Sequence, residues 1–136
     1  MPSDETLNAV NNFYAIDEEI KDNFRRLHKY APGAVDAYMA LRTNNYRTPA
    51  EGGALTPREK ELVIIGMECA IRKSNPTPVF HTESAVRAGA SIEDIAEVLS
   101  LAIMIAGMIT YQESGQYVLK EAERLIEAGI GPDSDS

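Results

Sequence analysis

Apolar residues recur along most of this chain at intervals of three and four, and nowhere do they alternate with polar ones in the two-residue rhythm of a strand. The pattern predicts an all-α protein. Leu7, Val10, Phe13, Ile16, Ile20, Phe24 and Leu27 form one such ladder. Residues 4 to 30 should therefore be one long helix, or two broken near Ala15-Ile16-Asp17, with Ser3 as cap and Asp4 and Glu5 in the first turn. Pro32 and Gly33 open a helix with Val35, Tyr38 and Leu41 on one side, fading by Asn44-Asn45, and the Gly- and Pro-rich stretch 47–56 reads as a connector. Thr56, Pro57 and Glu59 then make a helix start: a capping threonine, a proline at the first position and a glutamate at the third to close a capping box. That helix should run to about Lys73. Pro76 and Pro78 forbid its continuation, and a new helix is expected from about Pro78 to Ala88, with Gly89 as a left-handed stop. Ser91 and Asp94 begin another, whose core face is Ile92, Ile95, Leu99, Ala102, Ile103 and Ala106. Gly107 interrupts it, and a last helix should span about Met108 to Ala128.

In the helix that starts at Pro57, apolar side chains point in nearly every direction, which normally means burial. Its polar positions are therefore the informative ones. At 100° per residue, Glu61, Ile65, Glu68 and Arg72 share a stripe about 60° wide, so two carboxylates and a guanidinium line up on one face. This is either a solvated seam with a Glu68 to Arg72 (i, i+4) pair or the wall of a site. His81, near the start of the next helix, has Ser84, Ala85 and Ala88 stacked on its side, small enough to admit another helix or a small ligand. The plain alternative is a solvated or backbone-bonded ring. His28, at the end of the N-terminal segment, reads as a partner of the helix dipole.

Composition narrows the classes. With 136 residues and 44% hydrophobic content, the chain suits a single domain, 1–136, in which 1–50 is a helical arm and 55–128 holds the core helices. A net charge of -8 argues against nucleic-acid binding, which needs a basic footprint. The lone cysteine, Cys69, rules out a two-thiol redox centre and reads as a core thiol. His28 and His81 are too few for a zinc site even with Glu61 and Glu68, so no metal is expected. The N-terminus lacks a signal pattern and the longest apolar run, Val98 to Ile109, is too short to span a bilayer. A soluble cytoplasmic protein is the expectation. The apolar stretch 98–111 and the amphipathic arm are more than one small bundle can bury, so self-association is expected too.

The stretches LTPREKEL and FHTESAVRAGASIEDIAEVL, followed by the Ala106-Gly107 break, resemble the carboxymuconolactone decarboxylase and AhpD-like superfamily over residues 55 to 126. The resemblance implies an all-helical subunit of a homo-trimer or homo-hexamer with sites near subunit interfaces. It matches Glu61 to the superfamily's motif glutamate and His81 to its histidine. The peroxidase-like branch carries C-x-x-C before that histidine, where this chain has Ser74 and Thr77, and hydroxyls cannot form the disulfide that such chemistry cycles through. The decarboxylase branch, which the resemblance therefore favours, uses no metal or organic cofactor.

Loss of CO₂ without a cofactor is possible where the substrate supplies its own electron sink, such as a conjugated lactone or enone carbonyl. The protein must then hold a carboxylate, stabilise an enolate and protonate a carbon. His81 is the candidate proton donor, since an ordinary imidazole titrates near neutrality. Glu61 would fix its tautomer, with Glu68 in reserve, and Arg72 or Arg87 would clamp the carboxylate. The expected substrate is a small carboxylated lactone or ring-derived acid. The rival reading is a non-catalytic subunit that binds a small ligand or serves assembly, in which His81, Glu61 and Glu68 point into protein or bulk water.

Overall fold

The computed structural model describes residues 18–73 and 77–133. The anticipated Ser3 cap, the break near residues 15–17 and the centre of the proline turn, Ser74 included, lie outside the described residues. Those described are helical or in turns, with no strand among them: α1 (Glu18–Tyr30), α2 (Ala34–Asn45), a 3-10 turn at Pro49–Glu51, α3 (Pro57–Ala70), α4 (Thr77–Arg87), α5 (Ile92–Ala106), a π-helical turn at Tyr111–Gly115 and α6 (Gln116–Glu127). Among them, no helix is long and apolar enough to cross a membrane.

The chain divides into two compact units, one ending at Gly53 and the other beginning at Ala54. In the first, α1 and α2 pack together around the turn at Gly33, whose φ of 90° suits glycine, and the Phe24 and Tyr38 rings meet at 5.7 Å. The connector beyond α2 is more ordered than its composition predicts: Thr48 and Glu51 form a capping box around the 3-10 turn. A Cβ on Gly53 would lie 2.3 Å from the Arg47 carbonyl oxygen, so this corner admits only glycine.

The second unit carries the expected helix starts. The Glu59 amide donates to Thr56 Oγ1 while Glu59 Oε1 accepts from the Thr56 amide, and Ser91 and Asp94 do the same for α5. An Arg58 to Asp94 ion pair of 2.7 Å ties the two starts together. α3 packs on α4 and α5, α4 packs on α6, and Ile65, Ile95 and Val118 lie fully buried among them.

The end of α3 departs from expectation. The helix stops at Ala70 because Arg72 adopts φ 58°, the left-handed value usually left to glycine, and the Lys73 amide returns to the Glu68 carbonyl at 2.8 Å. Placing a non-glycine residue there costs about 1 kcal/mol or more, and nothing in the residue types announces it. Burial also departs from it. Val63 and Met67 of α3, Ile71 just after it, and Leu101, Met104 and Ile105 of α5 are exposed, and α3 and α5 border an apolar groove of about 350 Å³.

Candidate functional site

Glu61, Ile65 and Glu68 follow one another at intervals of four and three, which keeps them on one face of α3. That face is covered by α4. His81, in the second turn of α4, enters between the two carboxylates: Nδ1 lies 2.7 Å from Glu61 Oε2 and Nε2 lies 3.4 Å from Glu68 Oε1. About 10 Å of helix axis separates the two glutamates, so their side chains converge on one imidazole from either end. A single chain thus supplies both carboxylates to the ring. The side chains of His81, Glu61 and Glu68 remain 15%, 7% and 15% exposed. The trio is open at an edge and otherwise shielded, where charge and hydrogen bonding act strongly.

The local chemistry follows from this geometry. With Glu61 as carboxylate, Nδ1–H donates to it and the ring is fixed in the tautomer that leaves Nε2 facing Glu68. Glu68 is different. Its Oε2 is buried and has no hydrogen-bond partner among the described residues. Burial pushes its carboxyl above the ordinary value; His81 and Lys73 pull it back and Glu61 pushes it further up. Burial therefore moves Glu68 toward its protonated form, and a carboxyl placed beside Nε2 can exchange a proton with the ring.

The other expected residues fall elsewhere. Arg72 is not on the Glu61–Glu68 stripe, because the helix has already ended; its guanidinium instead lies 4.0 Å from Glu113. The expected Glu68 to Arg72 pair is replaced by that contact. Arg87 pairs with Glu83 one turn earlier on α4, at 3.1 Å. Cys69 is buried, and burial with the neighbouring Glu68 raises its thiol to about 11, so it has little thiolate character near neutrality. No group of three or more His, Cys, Asp or Glu among the described residues is placed to hold a metal ion.

Two features escaped the sequence reading. Tyr111–Gly115 widens into a π-helical turn, a device often found beside functional sites. It delivers the buried Ser114, whose Oγ donates to the Lys73 carbonyl at 2.7 Å and so braces the end of α3. The second feature is Lys73 itself, whose charge reaches Glu68. A serine in YQESG and a lysine after a helix carry no distinguishing sequence signal.

Comparison with known proteins agrees with this fold. The family model described as the carboxymuconolactone decarboxylase family matches residues 32–115. No curated protein matches the chain. Among solved structures, the chain is similar to that of a provisionally named carboxymuconolactone decarboxylase from Burkholderia xenovorans LB400, with 24% identity, 96% of this chain and 98% of that chain covered, and a TM-score of 0.77. At that identity the likeness speaks to the fold alone.

Proposed function

Because the chain belongs to the carboxymuconolactone decarboxylase family, we propose that it is a carboxy-lyase that works without a cofactor on a small carboxylated lactone or ring-derived acid. The observation that carries this reading is His81 held between Glu61 at 2.7 Å and Glu68 at 3.4 Å. The bond from carbon to the carboxylate breaks, its electron pair moves into the conjugated carbonyl of the substrate, and CO₂ leaves. The resulting enolate is then protonated on carbon. Glu61 holds the ring, while Nε2 and the Glu68 carboxyl share the proton that is delivered, and a proton from solvent restores the pair. A ring with each nitrogen beside a buried carboxylate can cycle a proton without leaving an uncompensated charge, which favours catalysis over passive ligand binding.

The exposed apolar face of α3 and α5 supports a second part of the proposal: the subunit assembles with copies of itself, as a homo-trimer or homo-hexamer. The deciding experiment incubates the purified chain with a panel of conjugated lactone and enone acids and follows CO₂ release with and without EDTA. Turnover that survives the chelator is expected. Turnover that EDTA abolishes would replace the mechanism with one dependent on a metal, and silence across the panel would remove the lyase assignment.

A further inference from the structure

A carboxylated substrate that approaches Glu61 and Glu68 is best received by a cation, and the two arginines expected for that task each face a carboxylate elsewhere. Arg72 is turned to Glu113 and Arg87 to Glu83, while Arg58 is held by Asp94 and Arg124 by Glu121. Lys73 has no ion pair among the described residues and is exposed. Its backbone is fixed on both sides. The amide donates to the Glu68 carbonyl at 2.8 Å, and the carbonyl accepts from Ser114 Oγ at 2.7 Å. The left-handed Arg72 separates the two neighbouring cations, sending the guanidinium to Glu113 and leaving the lysine stem at the Glu68 end of α3.

From these contacts, and resting on the lyase reading above, we propose that Lys73 is the residue that binds the substrate's carboxylate at the His81 site. The ammonium's pull on the Glu68 carboxyl agrees with that placement. A fixed backbone with a free four-carbon stem suits a point charge that meets a small anion from solvent and follows it to the edge of the trio. The same charge offsets the repulsion that carboxylate at this site presents to any anion. It also selects against uncharged lactones, so Lys73 sets specificity as well as affinity.

The test uses the full chain and reads binding rather than turnover. The probe is γ-butyrolactone-γ-carboxylate, which lacks the conjugated sink and so binds without reacting, with its methyl ester as the uncharged twin. The chain has two histidines, so the His81 ring resonances can be followed by NMR once His28 is identified by substitution. The wild type should bind the carboxylate about tenfold to a hundredfold more tightly than the ester. Lys73→Gln should erase that preference while ester binding stays unchanged, and Lys73→Arg should keep most of it. A preference that survives Lys73→Gln overturns the assignment, and so does one lost in Arg72→Gln or Arg87→Gln instead. A wild-type ring that responds equally to carboxylate and ester overturns it as well. A preference that depends on Lys73 without CO₂ release from any substrate would sink the lyase reading and leave this site standing.

Discussion

The two faces of α3 are built from opposite materials in reversed places. The face that turns inward carries Glu61 and Glu68 beside Ile65, whereas Val63 and Met67, rotated most of the way to the other side, are about half exposed. A helix that only contributed to a core would be arranged the other way, because burying carboxylates costs several kcal/mol unless they are partnered. On the inner face the cost is offset by His81. On the outer face no such offset is found among the described residues: Val63, Met67, Leu101 and Ile105 are exposed there, and they gain by whatever contact covers them. The contrast teaches that polarity inside and apolarity outside need separate causes: on the proposed function, one face is shaped by chemistry and the other by contact with a second copy.

Substitutions on each face should therefore affect different properties. The largest effect belongs to the inner face. Removing a positioned proton donor costs typically 10²–10⁴-fold in rate, so His81→Ala should lower kcat by about that much, and Glu61→Gln should lower it through the freed ring. Sedimentation should show both variants assembled as the wild type is. Either variant keeping more than about a third of wild-type turnover on the true substrate would end the assignment of roles.

Charge placed on the outer face should have the reverse effect. Val63→Glu with Ile105→Glu should shift the sedimenting species toward the 14.9 kDa subunit, with the helical circular dichroism unchanged. If the wild type already sediments as that subunit at micromolar concentration, the outer face is not a contact between copies and the contrast loses one of its terms.

How far this contrast could be read from sequence depends on how local each cause is. Helix starts were legible because the donor, acceptor and proline all sit within four residues, as at Thr56, Pro57 and Glu59 or at Ser91 and Asp94. The stops at Gly89 and Gly107 were legible for the same reason. Glu61, Glu68 and His81 could be named from the single turn-periodic stripe and the small residues beside the ring, but their convergence depends on how α4 lies across α3, which no local pattern encodes. The end of α3 was misread because an arginine took a glycine's conformation, and this removed Arg72 from the stripe. The exposure of Val63 and Met67 was hidden as well: an apolar helix predicts burial without saying whether the cover is the same chain or another.

A smaller effect comes from the brace behind the inner face. Ser114→Ala leaves the Lys73 carbonyl without its side-chain donor and should cost about 1 kcal/mol, lowering the melting temperature by roughly 2 to 5 °C. The sharper reading is of binding. If the brace fixes the base of Lys73, the same variant should weaken carboxylate binding more than ester binding. Equal losses for the two probes would mean that Ser114 supports the fold alone.

The smallest effect, and the one that bears most directly on the inner face, is a pH dependence of stability. Burial raises the Glu68 carboxyl above its ordinary value of 4.5, so the folded protein still holds a proton there at a pH where the unfolded chain has released it. The native state then binds more protons than the unfolded state, and this group's contribution to stability falls as pH rises from 4.5 through the shifted value, levelling above it. His81 and Lys73 oppose the shift and Glu61 reinforces it, so the slope should be modest. Glu68→Gln removes this titration while other groups continue to titrate. Urea unfolding at a series of pH values should therefore show the variant gaining on the wild type between pH 4.5 and neutrality. If the wild type gained on the variant instead, attraction to His81 would outweigh burial, and Glu68 would be a fixed anion. The proton would then have to reach the substrate from the imidazole alone.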